Sequence, residues 1–165
     1  ASDDDFNTQL RGPIYEENVA VARFILVAMA RAAMTKESFI DLWARDKVGE
    51  SKTLYVWTVE HVLPQGENLP EGWVAMLGGS DQAREVQGNL VHTLGNLSIT
   101  GYNSALGNKS FEEKRDRKDK SGNPVGYRNG ISLNDYIVKQ KIWGAEQILE
   151  RTEILAGKVF NLFKF

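Results

Sequence analysis

Hydrophobic and polar positions follow two different periods along the chain, and each period predicts a different kind of element. Apolar residues cover most faces of the segment Glu16 to Ala33, so we predict a well-buried helix there. A stretch rich in Val, Tyr, Trp and Thr begins at Leu54 and favours a strand that ends at Glu60 and His61, just before a proline. These two polar side chains therefore lie at a strand end, where a rigid scaffold can present them to a substrate.

The rest of the pattern predicts mainly short helices and turns. Helices are predicted at 36–45 after a capping Thr35, at 70–77, at 80–86, at 103–117 with Ser110 capping its second part, at 132–139 and at 146–160. Short extended pieces are predicted at 90–93 and 97–100, on either side of a turn at Gly95 and Asn96. We predict a frayed terminus at 1–11 and a loop at 46–52.

Composition narrows the class of protein. An apolar fraction of 42% in 165 residues suits one domain with an ordinary core. The absence of cysteine excludes disulfides and a thiolate zinc site and fits a cytoplasmic protein. The net charge of -2 argues against tight binding of nucleic acid by overall charge alone. No apolar segment is long enough to span a membrane. Because the chain begins at Ala1 without methionine, we expect it to be a fragment of a larger protein.

Four polar residues are candidates for an active site. His61 has the one side chain whose ordinary pKa, about 6.5, suits proton transfer near neutral pH, so it is a candidate general base. Glu60 and the amide oxygen of Asn103 are hard oxygen ligands of the kind that a phosphate-binding metal ion prefers. Asn96, in the predicted turn, is a candidate for orienting the imidazole.

These residues carry a resemblance to a known family. Glu60-His61-Val62-Leu63-Pro64-Gln65, then Gly95-Asn96-Leu97, then a segment from Asn103 to Phe111 with Lys114-Arg115, resemble an HNH (His-Me finger, ββα-metal) endonuclease. More narrowly, the chain resembles the C-terminal nuclease domain of GmrSD-type modification-dependent restriction enzymes and related phage-defence proteins. The resemblance covers nearly the whole chain.

The resemblance implies a role for each matching position. His61 matches the general base, Glu60 the acidic metal ligand, Asn96 the asparagine that orients the base, and Asn103 the second metal ligand. It also implies a single Mg²⁺ or Mn²⁺ ion and DNA as the substrate. An NTP-responsive or sensing domain elsewhere in the same protein is the implied partner, since the one Gly-rich piece here, Gly78-Gly79, is too short for a nucleotide-binding loop.

Two departures from the family pattern affect these expectations. Glu60 stands where many relatives have Asp, which lengthens the side-chain arm that would reach the metal ion. Asn96 lies 35 positions after His61, which is a long separation for a β-hairpin and implies an inserted segment.

A further group of polar residues is assigned to nucleic-acid binding, and each has a structural alternative. His92 precedes the Gly95-Asn96 turn and either contacts a phosphate or has a structural role. Asn108 is either a DNA contact or a capping residue. Lys109, Lys114 and Arg115 either contact phosphates or form a solvated helix face with paired charges.

The function that we predict is a metal-dependent, largely sequence-nonspecific DNA endonuclease of a restriction or phage-defence system. The alternatives are a non-catalytic DNA- or partner-binding module that retains the fold, and a ribonuclease or toxin that uses the same site. The predicted fold is α+β: a ββα-metal core at 53–118, with an inserted loop, lies between a helical part at 1–52 and C-terminal helices at 119–165. Two short strands cannot bury enough surface alone, so the helices Glu16 to Ala33 and Glu146 to Phe160 are expected to pack on them.

Overall fold

The structure is a computed structural model, and it describes residues 2–102 and 106–163. Within these ranges, the chain forms helices and two separate two-stranded antiparallel sheets, so the predicted α+β class is confirmed. The predicted metal ligand Asn103 lies outside the described residues. The helices are α1 (Asp3–Gln9), α2 (Ile14–Glu17), α3 (Val19–Ala32), α4 (Glu71–Met76), α5 (Ser80–Leu90), α6 (Phe111–Asp116), α7 (Asp135–Val138) and α8 (Ala145–Phe163). The strands are β1 (Arg45–Val48), β2 (Lys52–Tyr55), β3 (Thr58–His61) and β4 (Leu97–Thr100), and 3-10 turns occupy Leu94–Asn96 and Ser132–Asn134.

The N-terminal segment is helical, and the predicted frayed terminus is wrong. Ser2 and Asp5 form a reciprocal capping box, in which each side chain accepts a hydrogen bond of 3.2 Å from the other's backbone N–H. Three aspartates lie in the first turn, where negative charge interacts favourably with the helix dipole. The acidic run that suggested disorder is therefore a helix start.

The predicted helix from Glu16 to Ala33 is confirmed in substance but is interrupted once. Asn18 is extended and caps α3, with its Oδ1 accepting from the backbone N–H of Val21 at 3.1 Å. The helix predicted at 36–45 is wrong. There, Thr35 and Ser38 bond each other's backbone N–H groups through their hydroxyls, and such local bonds compete with helix formation.

Strands β1 and β2 form a hairpin where a loop was predicted at 46–52, so that prediction is also wrong. Val48 pairs with Lys52 across a turn that contains Gly49 at φ 73°. Every side chain of the hairpin except Tyr55 is exposed. Because neither face is buried, the segment lacks the alternation of apolar and polar residues that marks a strand in a sequence.

The second sheet joins the two motif segments. β3 and β4 pair antiparallel, with Thr58 opposite Thr100 and His61 opposite Leu97. The predicted strand from Leu54 to His61 is split, because the chain leaves the first sheet at Tyr55 and enters the second at Thr58.

Helices α4 and α5 lie between β3 and β4, in the segment whose length implied an insertion. The extended piece predicted at 90–93 is wrong, since α5 continues to Leu90 and a turn follows. The ββα-metal arrangement as a whole stays a prediction, because residues 103–105 are not described.

Two apolar clusters form the core, and α8 contributes to both. The first cluster contains α3, β4 and the later part of α8, including Leu155 and Val159. The second contains the inserted helices, α6 and the start of α8, including Trp73, Trp143 and Ile148. The expectation that the long N- and C-terminal helices pack on the strand pair is therefore confirmed.

In the described part of the chain, no helix is both long enough and apolar enough to cross a membrane.

The Gly95 turn packs directly against α8, which makes it a test of this architecture. A Cβ at residue 95 would clash with the carbonyl oxygen of Ile148 and the hydroxyl of Thr152. We expect Gly95→Ala to lower the free energy of unfolding by about 3 kcal/mol, as an overpacked core does, in urea unfolding followed by circular dichroism.

Gly88→Ala is the matched control. Gly88 lies in α5 with no heavy atom within 4 Å of a built Cβ, so this change should stabilise the protein by up to about 1 kcal/mol through helix propensity. Equal effects of the two substitutions would contradict the described contact between the Gly95 turn and α8.

Candidate active site

The end of strand β3 presents two polar side chains to different surroundings. Glu60 lies opposite Ser98 and His61 opposite Leu97, and neighbouring residues of a strand point to opposite faces. Both side chains are nevertheless buried, with Glu60 2% and His61 6% exposed. Each therefore depends on specific polar partners, because a buried polar group without a hydrogen bond is costly.

His61 is part of a group of three rings. Its Nε2 lies 3.1 Å from Nδ1 of His92, within hydrogen-bond distance. The ring of Tyr15 meets the His61 ring edge-on at 4.5 Å and stacks on the His92 ring at 5.4 Å. The fold therefore brings His92, which was predicted to bind nucleic acid, next to the predicted general base His61. Nothing in the sequence pattern connects Tyr15 with His61.

The surroundings of His61 favour its neutral form. Burial lowers the pKa of His61 to about 3, with smaller contributions from the nearby charges of His92 and Lys114. At neutral pH the imidazole is therefore unprotonated and has a lone pair to accept a proton.

Glu60 forms a buried ion pair with Lys114. The Nζ atom of Lys114 lies 2.8 Å from Oε1 of Glu60, and the hydroxyl of Tyr127 approaches the same oxygen at 3.4 Å. Burial raises the pKa of Glu60 and lowers the pKa of Lys114, while the attraction between the two groups opposes both shifts. The carboxylate that was predicted as a metal ligand thus already has a cationic partner.

The prediction that Lys114 contacts DNA phosphates is wrong. Its side chain is fully buried and donates to the backbone carbonyl oxygens of His61 and Val62 at 2.7 and 3.0 Å. The helix pattern around it suits a solvated face, so only the packing of α6 against β3 reveals its role. Lys114 fixes the main chain that carries the candidate base.

Asn96 also acts on the main chain, and its described bonds do not include the imidazole. Its Nδ2 donates to the carbonyl oxygens of Leu63 and Val91, and its Oδ1 accepts from the backbone N–H of Leu63 and from Nε1 of Trp143, all at 2.8–3.0 Å. These four bonds use the full capacity of the carboxamide. Through these bonds the Asn96 side chain acts on the backbone of Leu63, two residues after His61, and the backbone carbonyl of Asn96 accepts from the N–H of Val62 at 2.9 Å.

Arg151 of α8 holds the turn that carries Asn96. Its guanidinium is fully buried and donates to the carbonyl oxygens of Gly95, Leu97 and Leu133 at 2.6–2.9 Å. Burial lowers its pKa to about 9, which leaves it charged at neutral pH. An arginine within an apolar helix is the sequence feature that hints at this role.

The other predicted nucleic-acid contacts differ in accessibility. Asn108 and Lys109 are exposed, as a phosphate contact requires, and they stay predictions. Arg115 bonds the carboxylate of Asp116 and the carbonyl oxygen of Gln140, so most of its donors have partners already. It is the least suited of the three to bind a phosphate.

The described residues do not complete a metal site. Within residues 2–102 and 106–163, no group of three or more His, Cys, Asp or Glu side chains is arranged to hold an ion. Glu60 is the described candidate ligand, and a metal ion there would compete with the ammonium of Lys114. The expected ion is thus not accounted for by the described donors.

Comparison with known families places the chain in one of them. Residues 1–158 match the model of GmrSD restriction endonucleases, C-terminal domain. The chain belongs to this family. No curated protein and no solved structure gives a significant match. As a GmrSD C-terminal domain of HNH type, the chain is a nuclease domain of a restriction system, and DNA is the substrate that this implies.

The ion pair of this GmrSD domain generates a prediction about stability. Lys114→Met leaves Glu60 buried without its partner, so we expect the free energy of unfolding to fall by about 3–5 kcal/mol. Glu60→Gln/Lys114→Met removes both charges and should recover part of that loss. Urea unfolding of the single and double variants measures the coupling.

Lys120→Met, at an exposed lysine, is the matched control and should change stability by less than about 0.5 kcal/mol. If Lys114→Met lowered the free energy of unfolding as little as the control does, the described burial of Lys114 against Glu60 would be wrong.

The lowered pKa of His61 generates a second prediction. Between pH 6.5 and about 3, His61 binds a proton in the unfolded chain but not in the folded one. Stability contributed by this group is therefore complete above pH 6.5 and is lost as the pH falls. We expect unfolding free energies of the wild type to decrease more steeply between pH 6 and 4.5 than those of His61→Asn, by up to about 1.4 kcal/mol per pH unit. Parallel pH profiles would mean that His61 titrates normally in the folded protein.

Proposed function

We propose that this domain hydrolyses phosphodiester bonds of DNA, nicking or cutting it largely without sequence specificity, with His61 as the general base. The family supports the nuclease class. The observation that carries the choice of His61 is its setting: a neutral imidazole at a strand end, bonded at Nε2 to His92 and contacted edge-on by Tyr15.

In the proposed step, a water molecule attacks phosphorus and gives a proton to His61. One P–O bond forms to the water oxygen, one P–O bond to the leaving oxygen breaks, and the leaving oxygen takes up a proton from solvent. The bond between Nε2 and His92 leaves Nδ1 as the ring nitrogen that accepts this proton. The lowered pKa of His61 keeps its imidazole unprotonated over the whole neutral range, so the ring is in the form that can accept a proton.

The rigid support of His61 agrees with this role. Lys114 binds the carbonyl oxygen of His61 itself, and Asn96 binds the main chain of Leu63 on both its N–H and its C=O. A general base must be held within hydrogen-bond reach of the proton that it removes, so a fixed backbone on the C-terminal side of the base favours catalysis.

A single Mg²⁺ or Mn²⁺ remains the proposed cofactor, with Glu60 and Asn103 as the proposed ligands. Such an ion supplies stabilisation of the negative charge that develops on the phosphate and the leaving oxygen. Since Glu60 is paired with Lys114 and no described cluster completes the site, no step of the mechanism is assigned to the ion.

The charge of the domain bears on how DNA is held. With a net charge of -2, bulk electrostatic attraction is weak. The exposed Asn108 and Lys109 are the proposed phosphate contacts of this chain. We also propose that an NTP-responsive or sensing domain elsewhere in the full protein controls cleavage.

The function is tested by nicking of supercoiled plasmid by the purified chain with Mg²⁺, with Mn²⁺ or with EDTA. We expect cleavage that requires a divalent ion and that falls by about 10²–10⁴-fold in His61→Ala, the range expected for loss of a general base. Lys120→Ala should cleave like the wild type.

Three outcomes would change the proposal. Cleavage that persists undiminished in His61→Ala would rule out His61 as the base. Salt-sensitive DNA binding without cleavage under any metal would favour the non-catalytic binding module. Faster cleavage of single-stranded RNA than of plasmid would favour a ribonuclease.

A further inference from the structure

His92 is placed so that it acts on His61 directly. It follows the inserted helix α5, and its Nδ1 lies 3.1 Å from Nε2 of His61, with the two rings at 83° to each other. The near-perpendicular rings and the short distance between nitrogens describe a hydrogen bond, not a stacking contact. One of the two nitrogens must donate and the other must accept.

The direction of this hydrogen bond decides whether His61 can act as a base. If His92 donated, a neutral His61 would carry its proton on Nδ1 and would have no free lone pair, since Nε2 would already be accepting. If His61 donates from Nε2, its Nδ1 carries a lone pair. Within residues 2–102 and 106–163, no protein atom bonds that Nδ1. Only the second arrangement leaves the imidazole ready to take a proton from water.

We propose that His92 is a positioning residue that accepts a hydrogen bond from Nε2–H of His61 and so holds the base in its productive tautomer and orientation. This inference rests on the proposed function of His61. When His61 takes a proton on Nδ1, its Nε2–H continues to donate to Nδ1 of His92, so the ring keeps its orientation through the step. Groups that orient a catalytic histidine in this way are usually carboxylates or carbonyls, and here a second histidine takes that place.

Tyr15 fixes His92 for this task. Its ring stacks on the His92 ring at 5.4 Å and 13°, and its backbone N–H donates to the carbonyl oxygen of His92 at 3.2 Å. The same ring meets His61 edge-on. A side chain held in this way cannot swing freely toward a DNA backbone, so the contacts favour a positioning role over the phosphate contact that the sequence suggested.

Two substitutions separate these roles. His92→Phe keeps an aromatic ring against Tyr15 but removes the acceptor. His92→Asn places an amide oxygen close to the position of Nδ1, because the δ atoms of the two side chains occupy similar places, and so restores an acceptor. For plasmid nicking we expect kcat to fall about 10- to 100-fold in His92→Phe with KM little changed, and His92→Asn to recover most of the loss.

The tautomer of His61 is read independently of activity by ¹⁵N NMR of the imidazole rings. We expect the Nε2–H form in the wild type and in His92→Asn, and a mixture of tautomers in His92→Phe. Folding of each variant is checked by circular dichroism, and the Asn variant decides the question if the Phe variant does not fold.

The results separate a failure of this inference from a failure of the proposed function. A rise in KM with stronger salt dependence and unchanged kcat in His92→Phe would make His92 a phosphate contact and overturn the proposal. An Nδ1–H tautomer in the wild type, or a tautomer unaffected by His92→Phe, would also overturn it. If the wild type does not cleave DNA, the proposed function fails, and the NMR result alone decides whether His92 sets the tautomer of His61.

Discussion

The buried ion pair between Lys114 and Glu60 is the constraint on which the candidate site depends. A fully buried ammonium is tolerated only when its charge and its three donors are matched, and Lys114 meets this requirement with one carboxylate and two carbonyl oxygens at the end of β3. The same three bonds tie helix α6 to the strand that carries His61. The cost of desolvating the lysine therefore makes the position of the strand end highly specific.

A second set of polar contacts fixes the neighbouring turn, Leu94–Asn96. Arg151 in α8 binds the carbonyl oxygens of Gly95 and Leu97, and Asn96 between them binds the main chain at Leu63. Helix α8 packs into both apolar clusters, so the turn is held by the element that joins the two halves of the core. The carboxamide of Asn96 has all four of its hydrogen bonds, and a satisfied buried group of this kind favours one arrangement over near alternatives.

The imidazole of His61 is held by contacts to both its backbone and its ring. Its backbone is fixed by Lys114, and its ring is held by His92 and Tyr15, which come from the inserted segment and from the N-terminal part of the chain. Burial then lowers the pKa of His61. The segment between β3 and β4 therefore contributes to the candidate site, because it contains His92, the histidine that contacts the candidate base.

The sequence by itself determined the elements and residues that local patterns encode. Strand propensity, a following proline and a tight turn each depend on a few neighbouring residues, and these local signals identify Glu60, His61, Gly95 and Asn96. The long buried helices are identified by their apolar faces. The capped α1 and the exposed β1–β2 hairpin were missed, because an acidic run and an unburied strand pair leave no apolar pattern. Only the tertiary structure decided that Lys114 is buried under Glu60, that Asn96 binds backbone, and that Tyr15 and His92 meet His61. These contacts join residues far apart in the chain, and burial, which sets the charge state and the partners of each group, does not exist until the two apolar clusters have packed.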